Sequence, residues 1–248
     1  MVPGKHERTV TRSGCAALAI LLSWGVIPGL DPTAGAEPAA ETAGQETAKP
    51  APQQEADKEK DWQPLFDGKS LKGWERTDFA GGAEPRVEDG RLILPYGELL
   101  TGATWSGKPF EIPKSNYEIR LQAQRVDGSD FFCGLTFPVG EEHCSLIVGG
   151  WGGTLVGLSC IDGYDASENL TTLFEKFENK KWYPIRVRVT DERIEAWIND
   201  RRLVNVERDG HEFSVRWEVE QSRPLGIASY QSTAAFKDVK LRKLEQEK

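Results

Sequence analysis

Strict alternation of apolar and polar residues constrains this chain more than any other feature. In Tyr117-Glu118-Ile119-Arg120-Leu121-Gln122-Ala123-Gln124 every second side chain is apolar. Successive side chains of a β-strand point to opposite faces, so Tyr117, Ile119, Leu121 and Ala123 share one face and polar groups take the other. That is a half-buried strand. The period returns in Ile185-Arg186-Val187-Arg188-Val189 and in Ile194-Glu195-Ala196-Trp197-Ile198, after which Asn199-Asp200 supplies hairpin-turn chemistry. It returns again in Ala235-Phe236-Lys237-Asp238-Val239-Lys240-Leu241, preceded by the short apolar run Leu225-Gly226-Ile227-Ala228-Ser229. No stretch combines a helical period with caps. Leu173, Phe174 and Phe177 admit either one helical turn or a strand leading into Trp182 and Tyr183.

From Trp62 onward, aromatic and β-branched runs are separated by Gly, Pro, Asp and Asn, the composition of an all-β chain. About 180 residues with a dozen or so short strands suit two sheets packed face to face in a single domain, 62–248. All but one of the 8 Trp lie there. Each aromatic buries on the order of 150–250 Å², so most of them are expected in the core.

The N-terminal segment has a different character. Lys5, Arg8 and Arg12 form a basic region, Leu18, Ile20, Leu21, Leu22 and Val26 an apolar one, and Ala34-Gly35-Ala36 a small-residue cleavage pattern. This order reads as a signal peptide, 1–36, cleaved after Ala36, and predicts a periplasmic or secreted product. The apolar run is too short to serve as a transmembrane anchor. Residues 37–61 are Ala, Pro, Glu, Gln and Lys without a large apolar side chain, the composition of a disordered linker. Loss of the leader makes the formal −8 one unit more acidic. An acidic product whose basic residues alternate with apolar ones along strands is not a nucleic-acid binder. Three of the 4 Cys remain, Cys133, Cys144 and Cys160, with no C-x-x-C spacing. They read as small buried apolar thiols, although a hairpin between Cys144 and Cys160 would bring that pair close if its register allowed.

Leu65-Phe66-Asp67-Gly68-Lys69-Ser70-Leu71-Lys72-Gly73-Trp74 resembles the opening of the 3-keto-disaccharide hydrolase domain family. Val87-Glu88-Asp89-Gly90-Arg91-Leu92-Ile93-Leu94 is similar to its next hallmark, and Lys181-Trp182-Tyr183-Pro184-Ile185-Arg186-Val187 and the closing Phe236-Lys237-Asp238-Val239-Lys240-Leu241 continue the match. The latter half also resembles laminin-G and lectin jelly rolls. The resemblance implies an all-β, two-sheet concanavalin A-like jelly-roll sandwich. It also implies action on sugars oxidised at C3, where the ketone acidifies the C2 proton and invites abstraction by a base. Family members carry an Asn-Ser-Gly turn after the central strand and later a strand bearing Glu and Asp. Here those stretches read Gly128-Ser129-Asp130-Phe131-Phe132-Cys133-Gly134 and Cys144-Ser145-Leu146-Ile147-Val148-Gly149-Gly150-Trp151, the second without a carboxylate.

Candidate site residues follow from local chemistry. Gly149-Gly150-Trp151-Gly152-Gly153 is a hairpin tip holding one indole among residues without side chains, which suits either a stacking platform or simply a tight turn. Asp162, Tyr164, Asp165, Glu168 and Asn169 form the densest polar segment, suited to hydroxyl recognition and ring stacking and also to an ordinary solvated loop. Asp162, Asp165 and Glu168 are the oxygen ligands available to Ca²⁺, but they lack the twelve-residue loop spacing; otherwise no metal site or cofactor is expected. Asp130 at the mouth of a Gly-rich turn, His143 at the start of a strand and Glu175 beyond the polar segment are the acid or base candidates. No E-x-D-x-E run of a retaining glycosidase occurs. Glu218-Val219-Glu220 imitates one, with carboxylates about 7 Å apart on a strand face, and reads as a charged edge.

The leading expectation is an exported domain that binds, and on the family's precedent cleaves, a 3-keto glycoside on its concave sheet. The alternatives are a non-catalytic carbohydrate-binding or adhesion module and an envelope domain that binds another protein. A saccharide is the expected partner and a monomer the expected state.

Overall fold

The computed structural model describes residues 61–106 and 111–245. The leader and all of the linker before Asp61 lie outside the described residues.

Two antiparallel sheets face each other. The A sheet runs β13 (Arg201–Glu207), β12 (Arg193–Ile198), β11 (Trp182–Val189), β6 (Tyr117–Gly128), β15 (Ser232–Lys243), β4 (Arg91–Leu94) and β3 (Arg86–Glu88), with β1 (Gln63–Pro64) added on β15. The B sheet runs β10 (Leu173–Phe174), β9 (Leu155–Ser159), β8 (Glu142–Gly149), β7 (Cys133–Val139), β14 (Gly226–Tyr230), β5 (Leu100–Trp105) and β2 (Trp74–Arg76). The sheets are open, as the jelly-roll expectation requires.

Alternation sets the register. On β6 and β11, Tyr117 pairs with Val189, Ile119 with Val187, Leu121 with Ile185 and Ala123 with Tyr183, without a slip. A shift of one residue would turn all of these apolar groups to solvent. They meet Leu135, Phe137, Leu146, Leu158 and Ile227 of the B sheet in one contiguous core. Trp74 and Trp105 close one end edge to face, with ring centroids 5.6 Å apart. The hairpin of β12 and β13 turns at Asn199, whose φ of 55° is the left-handed conformation that Asn tolerates.

Two local expectations are resolved or revised. Leu173–Phe174 is a short strand, not a helical turn. Glu218-Val219-Glu220 is not an edge strand: it lies in a 3-10 turn, Trp217–Ser222, because Val219 is drawn into a small apolar cluster with Phe79 and Ala228. Cys133, Cys144 and Cys160 are free and buried. At Cys160 the backbone leaves β8 and exchanges two hydrogen bonds with Ser214, of 2.6 and 3.2 Å, so Cys144 Sγ faces the Cys160 carbonyl at 3.9 Å. Burial pushes the Cys144 thiol up to about 12. Among the described residues no helix is long and apolar enough to cross a membrane.

Candidate functional site

Most of the side chains of the B sheet that alternate with the core are small. They include Gly134 and Thr136 on β7, Ser145 on β8, Gly157 and Ser159 on β9, and Gly226 and Ala228 on β14. Small residues let other segments lie directly on the sheet. At Gly157 an added Cβ would stand 3.1 Å from the Ala166 carbonyl oxygen and 3.2 Å from that of Thr171, so the loop 161–171 rests on bare backbone. The 3-10 turn covers Ala228 through Val219. Between these coverings lies a cleft of about 460 Å³, floored by Ser145, Ile147 and Ser159 and walled by Asp130, Trp151, Arg216, Trp217, Glu218 and Tyr230.

Its walls are aromatic. Trp217 is 81% exposed and Trp151 43% exposed, and Phe131 stacks on Tyr230 with centroids 5.9 Å apart. Trp151 adopts φ 47°, ψ 57° within a tip where Gly149, Gly152 and Gly153 also have positive φ. A bulky residue in this region is strained by roughly 1–2 kcal/mol, and such strain persists only when the surroundings over-determine it. Asp130 supplies the constraint. Its Oδ1 accepts the Phe131 N–H at 2.7 Å and its Oδ2 the Gly152 N–H at 2.8 Å. From below, the buried Arg125 donates to the carbonyls of Asp130 at 3.2 Å and Gly153 at 3.4 Å, fastening turn and tip to β6.

Arg216 sits across from this clamp. It binds Glu218 through two hydrogen bonds, of 3.1 and 2.6 Å, and also pairs with Asp165. Its guanidinium lies 5.9 Å from the centroid of the Trp151 ring. The Arg216 hydrogen bond holds the Glu218 carboxyl below its usual range. For Asp165, burial pushes upward, but hydrogen bonds from Ser167 and Arg216 outweigh it and the carboxyl is lowered. Both groups therefore remain ionised acceptors at neutral pH. A carboxylate stabilised as the anion is a weak proton acceptor, so the pair is better suited to orienting hydroxyls than to moving protons.

Residues 61–242 match the 3-keto-alpha-glucoside-1,2-lyase-like domain. The chain belongs to that family. No curated protein is detectably similar to it. Among solved structures, it is similar to a Bacillus subtilis protein of unknown function with a galectin-like fold, at 12% identity, 73% coverage of this chain, 94% of that one and a TM-score of 0.51. It also resembles the carbohydrate-binding module CBM66 of Bacillus subtilis (14% identity, coverage 69% and 96%, TM-score 0.46). A third similar structure is domain 4 of an extracellular GH43 arabinanase of Geobacillus stearothermophilus bound to arabinotriose (12% identity, coverage 68% and 82%, TM-score 0.45). At these identities the likeness is one of fold alone, the galectin-like sandwich.

Within this 3-keto-glucoside-lyase-like sandwich, the residues singled out from sequence separate into groups. Asp130 and Trp151 line the cleft, and Asp165 reaches its edge through Arg216. Asp162 instead accepts from the Glu212 N–H and pairs with His211 Nδ1 at 2.7 Å, beside a polar hollow at a different edge. Tyr164 and Glu168 are exposed on the same loop and do not line the cleft. The Asn169 amide is engaged on both sides. Its Nδ2 donates to the carbonyls of Leu158, Tyr164 and Asp165, and its Oδ1 accepts from the Thr171 backbone and hydroxyl. Asn169 thus organises the loop rather than facing a ligand. His143 stands at the start of β8 with Nδ1 buried and unpartnered, its pKa lowered by burial. Glu175 pairs with Arg201 beside a separate hollow of about 400 Å³. The three carboxylates considered for Ca²⁺ do not converge: Asp162 turns to His211 and Asp165 to Arg216, and no metal-holding cluster occurs among the described residues.

Sequence reading missed Arg216, Trp217 and Tyr230, and set Glu218 aside as part of a charged edge. Local composition carried no signal for them, since charged residues, Trp and a nearby Pro also suit an edge strand.

Proposed function

We propose that the domain binds a glycoside in the cleft of the B sheet, with 3-keto-glycosides as the ligand class, in an exported protein. One observation carries the binding reading: two solvent-facing indoles, Trp151 and Trp217, share a cleft of about 460 Å³ with Asp130 and the Arg216–Glu218 pair. Aromatic faces suit pyranose rings, and ionised acceptors beside a guanidinium suit vicinal hydroxyls. Family membership supports the 3-keto class, and the leader pattern at residues 1–36 supports export.

A second reading, elimination, is favoured by the family and by Asp130, the cleft carboxylate that does not pair with Arg216. In that reaction a base takes the C2 proton, the electron pair of that bond forms the C1–C2 double bond, and the C1–oxygen bond breaks. The aglycone leaves as its alcohol after taking up a proton. In this structure both Asp130 oxygens are engaged by backbone N–H groups, of Phe131 and Gly152, so a base role requires one of these bonds to open.

Titrating the protein with matched glucosides and 3-keto-glucosides, following tryptophan fluorescence and released aglycone, tests both readings. Saturable quenching by 3-keto-glucosides, weakened about tenfold or more in Trp151→Ala, is expected. Absence of saturable binding to either series overturns the proposal. Release of aglycone that is lost in Asp130→Ala establishes the second reading.

A further inference from the structure

The cleft of the B sheet changes character across its width. Beneath it the strands run in the order β9, β8, β7, β14 and β5. Toward β9 and β8 lie Ser159, Ser145 and the Trp151 tip that joins those strands, with Asp130 clamped to the tip. Arg216 is drawn to the same end by Asp165, on the loop that rests on Gly157 of β9. Toward β14 and β5 the lining is Tyr230, Leu100, Leu99 and Val219, with Phe131 stacked on Tyr230. The register fixes that end: Tyr230 pairs with Leu100 across the two strands, and Val219 packs on Ala228 of β14 beside Leu100. The Thr104 hydroxyl of β5 fastens the 3-10 turn there by donating to the Gln221 carbonyl at 3.1 Å. Residues 216–219 thus span the cleft, with a guanidinium at the polar end and Val219 at the apolar one.

Three features bear on what fills the apolar end. Leu99 is 52% exposed and lines the cleft together with the solvent-facing Trp217. Apolar side chains left unpacked in a concave wall are those that a ligand covers. The aliphatic groups of Leu99, Leu100 and Val219 offer neither donor nor acceptor. A second sugar placed against them would desolvate hydroxyls that find no partner, which costs free energy for each one. A cleft of about 460 Å³ also falls in the range that encloses a drug-sized ligand, so the occupant is larger than one sugar ring.

From this division we infer that the cleft selects glycosides by an aromatic aglycone, so that its ligand class is an aryl glycoside rather than a disaccharide. The inference rests on the glycoside reading and narrows it. The sugar lies at the end of Trp151, Asp130 and the Arg216–Glu218 pair, whose charged groups match its hydroxyls. The aryl group lies against Tyr230, Leu99 and Leu100, beside Trp217. A planar ring suits a wall that contains the Phe131–Tyr230 stack, because offset and edge-to-face contacts between rings add to the area they bury. An alkyl aglycone gains the area without those contacts. The selectivity comes from the absence of hydrogen-bonding side chains at one end of the cleft as much as from their presence at the other.

The test is calorimetric titration of the full chain with three ligands that share a 3-keto-glucosyl unit of one anomeric configuration and differ in aglycone: phenyl, methyl and glucosyl. The phenyl ligand is expected to bind about tenfold tighter than the methyl one, or more, and the glucosyl ligand no tighter than the methyl one. Leu99→Ser, at a half-exposed position, is expected to narrow the phenyl-to-methyl ratio by about threefold or more. Trp151→Ala, at the sugar end, is expected to weaken both ligands and keep the ratio. Thermal melting confirms that the variants are folded, and the ratio in the native chain is read without them. Equal affinity for phenyl and methyl, tighter binding of the glucosyl than of the phenyl ligand, or an unchanged ratio in folded Leu99→Ser overturns the inference and leaves the glycoside reading standing. Absence of binding to all three overturns both. A dimer in sedimentation that Leu99→Ser dissociates would give the apolar end to a second copy of the chain and also overturns the inference.

Discussion

The two sheets bury similar apolar faces but present opposite outward ones. Outside the B sheet, small residues let loops lie on the backbone and leave a cleft whose walls are aromatic and whose one cation among the described residues, Arg216, is matched by two carboxylates. Outside the A sheet the side chains are long and cover it themselves. Arg186 lies 3.7 Å from the centroid of Trp197, Arg120 and Arg242 lie over Trp62, and Lys237 over Trp182. The lesson is that side-chain length on the outward positions decides how a sheet is covered. Short side chains invite other segments and create a cleft, whereas long charged ones form a self-sealed, charge-patterned surface.

The hardest test of that contrast is Glu118. Its side chain is 0% exposed and accepts from Arg186, Arg188 and Arg242. Glu118→Ala leaves three arginines without their shared anion and is expected to destabilise the fold by about 3 kcal/mol, read as a lowered denaturation midpoint. Burial pushes the Glu118 carboxyl upward, but hydrogen bonds and charge from Arg188, Arg242 and Arg186 outweigh it, so the folded pKa lies below the ordinary 4.5. A group lowered by folding contributes stability above its unfolded pKa and loses it as the pH falls through the folded one. Acid melts of the native protein should therefore lose stability below about pH 4.5 more steeply than those of Glu118→Ala. Parallel acid curves would show that the A face is not sealed by this carboxylate.

On the B side the comparable element is a neutral one. Asn169 organises the loop 161–171 through four hydrogen bonds within it and a fifth to the Leu158 carbonyl on β9, so Asn169→Ala is expected to cost about 2 kcal/mol of stability. Saccharide affinity measured on the folded fraction should change little. A large loss of affinity at unchanged stability would return Asn169 to the binding site and weaken the picture of loops as mere covering.

Asn169 also shows how far the sequence could be read. An amide that organises a loop and an amide that recognises hydroxyls are the same residue type in the same polar setting, so local chemistry could not separate them. The long strands were legible because Tyr117, Ile119, Leu121 and Ala123 face a core and announce it by period. The short strands β2, β3 and β10 span two or three residues, too few for a period to emerge. Trp151 was legible because glycines flank it. Arg216, Trp217 and Glu218 were not, because their placement depends on Val219 meeting Phe79, 140 residues away in sequence. The cleft was thus half visible: the part made by a local turn was read, and the part made by long-range packing was not.

Trp217 separates binding from folding most cleanly. An indole that is 81% exposed contributes little packing, so Trp217→Ala should leave the melting temperature unchanged. Affinity for a glycoside in the cleft should fall by about 1 kcal/mol, or roughly fivefold, in fluorescence or calorimetric titration. Unchanged affinity would confine the ligand to the Trp151 side.

The smallest expected effect is at Glu175, where the sequence placed a candidate acid or base. Glu175 pairs with Arg201, whose side chain is 66% exposed, and both line a hollow beside Phe177 and Tyr183 rather than the aromatic cleft. An ion pair that open to solvent contributes about 0–1 kcal/mol. Glu175→Gln keeps the shape of the side chain while removing the charge, so stability should shift by no more than about that amount and glycoside affinity not at all. Any release of aglycone should persist at the native rate, because the Glu175 carboxylate turns to Arg201 and lines a hollow separate from the aromatic cleft. A loss of turnover in this variant with binding intact would move the chemistry to the edge of β10 and make the cleft a docking surface for it.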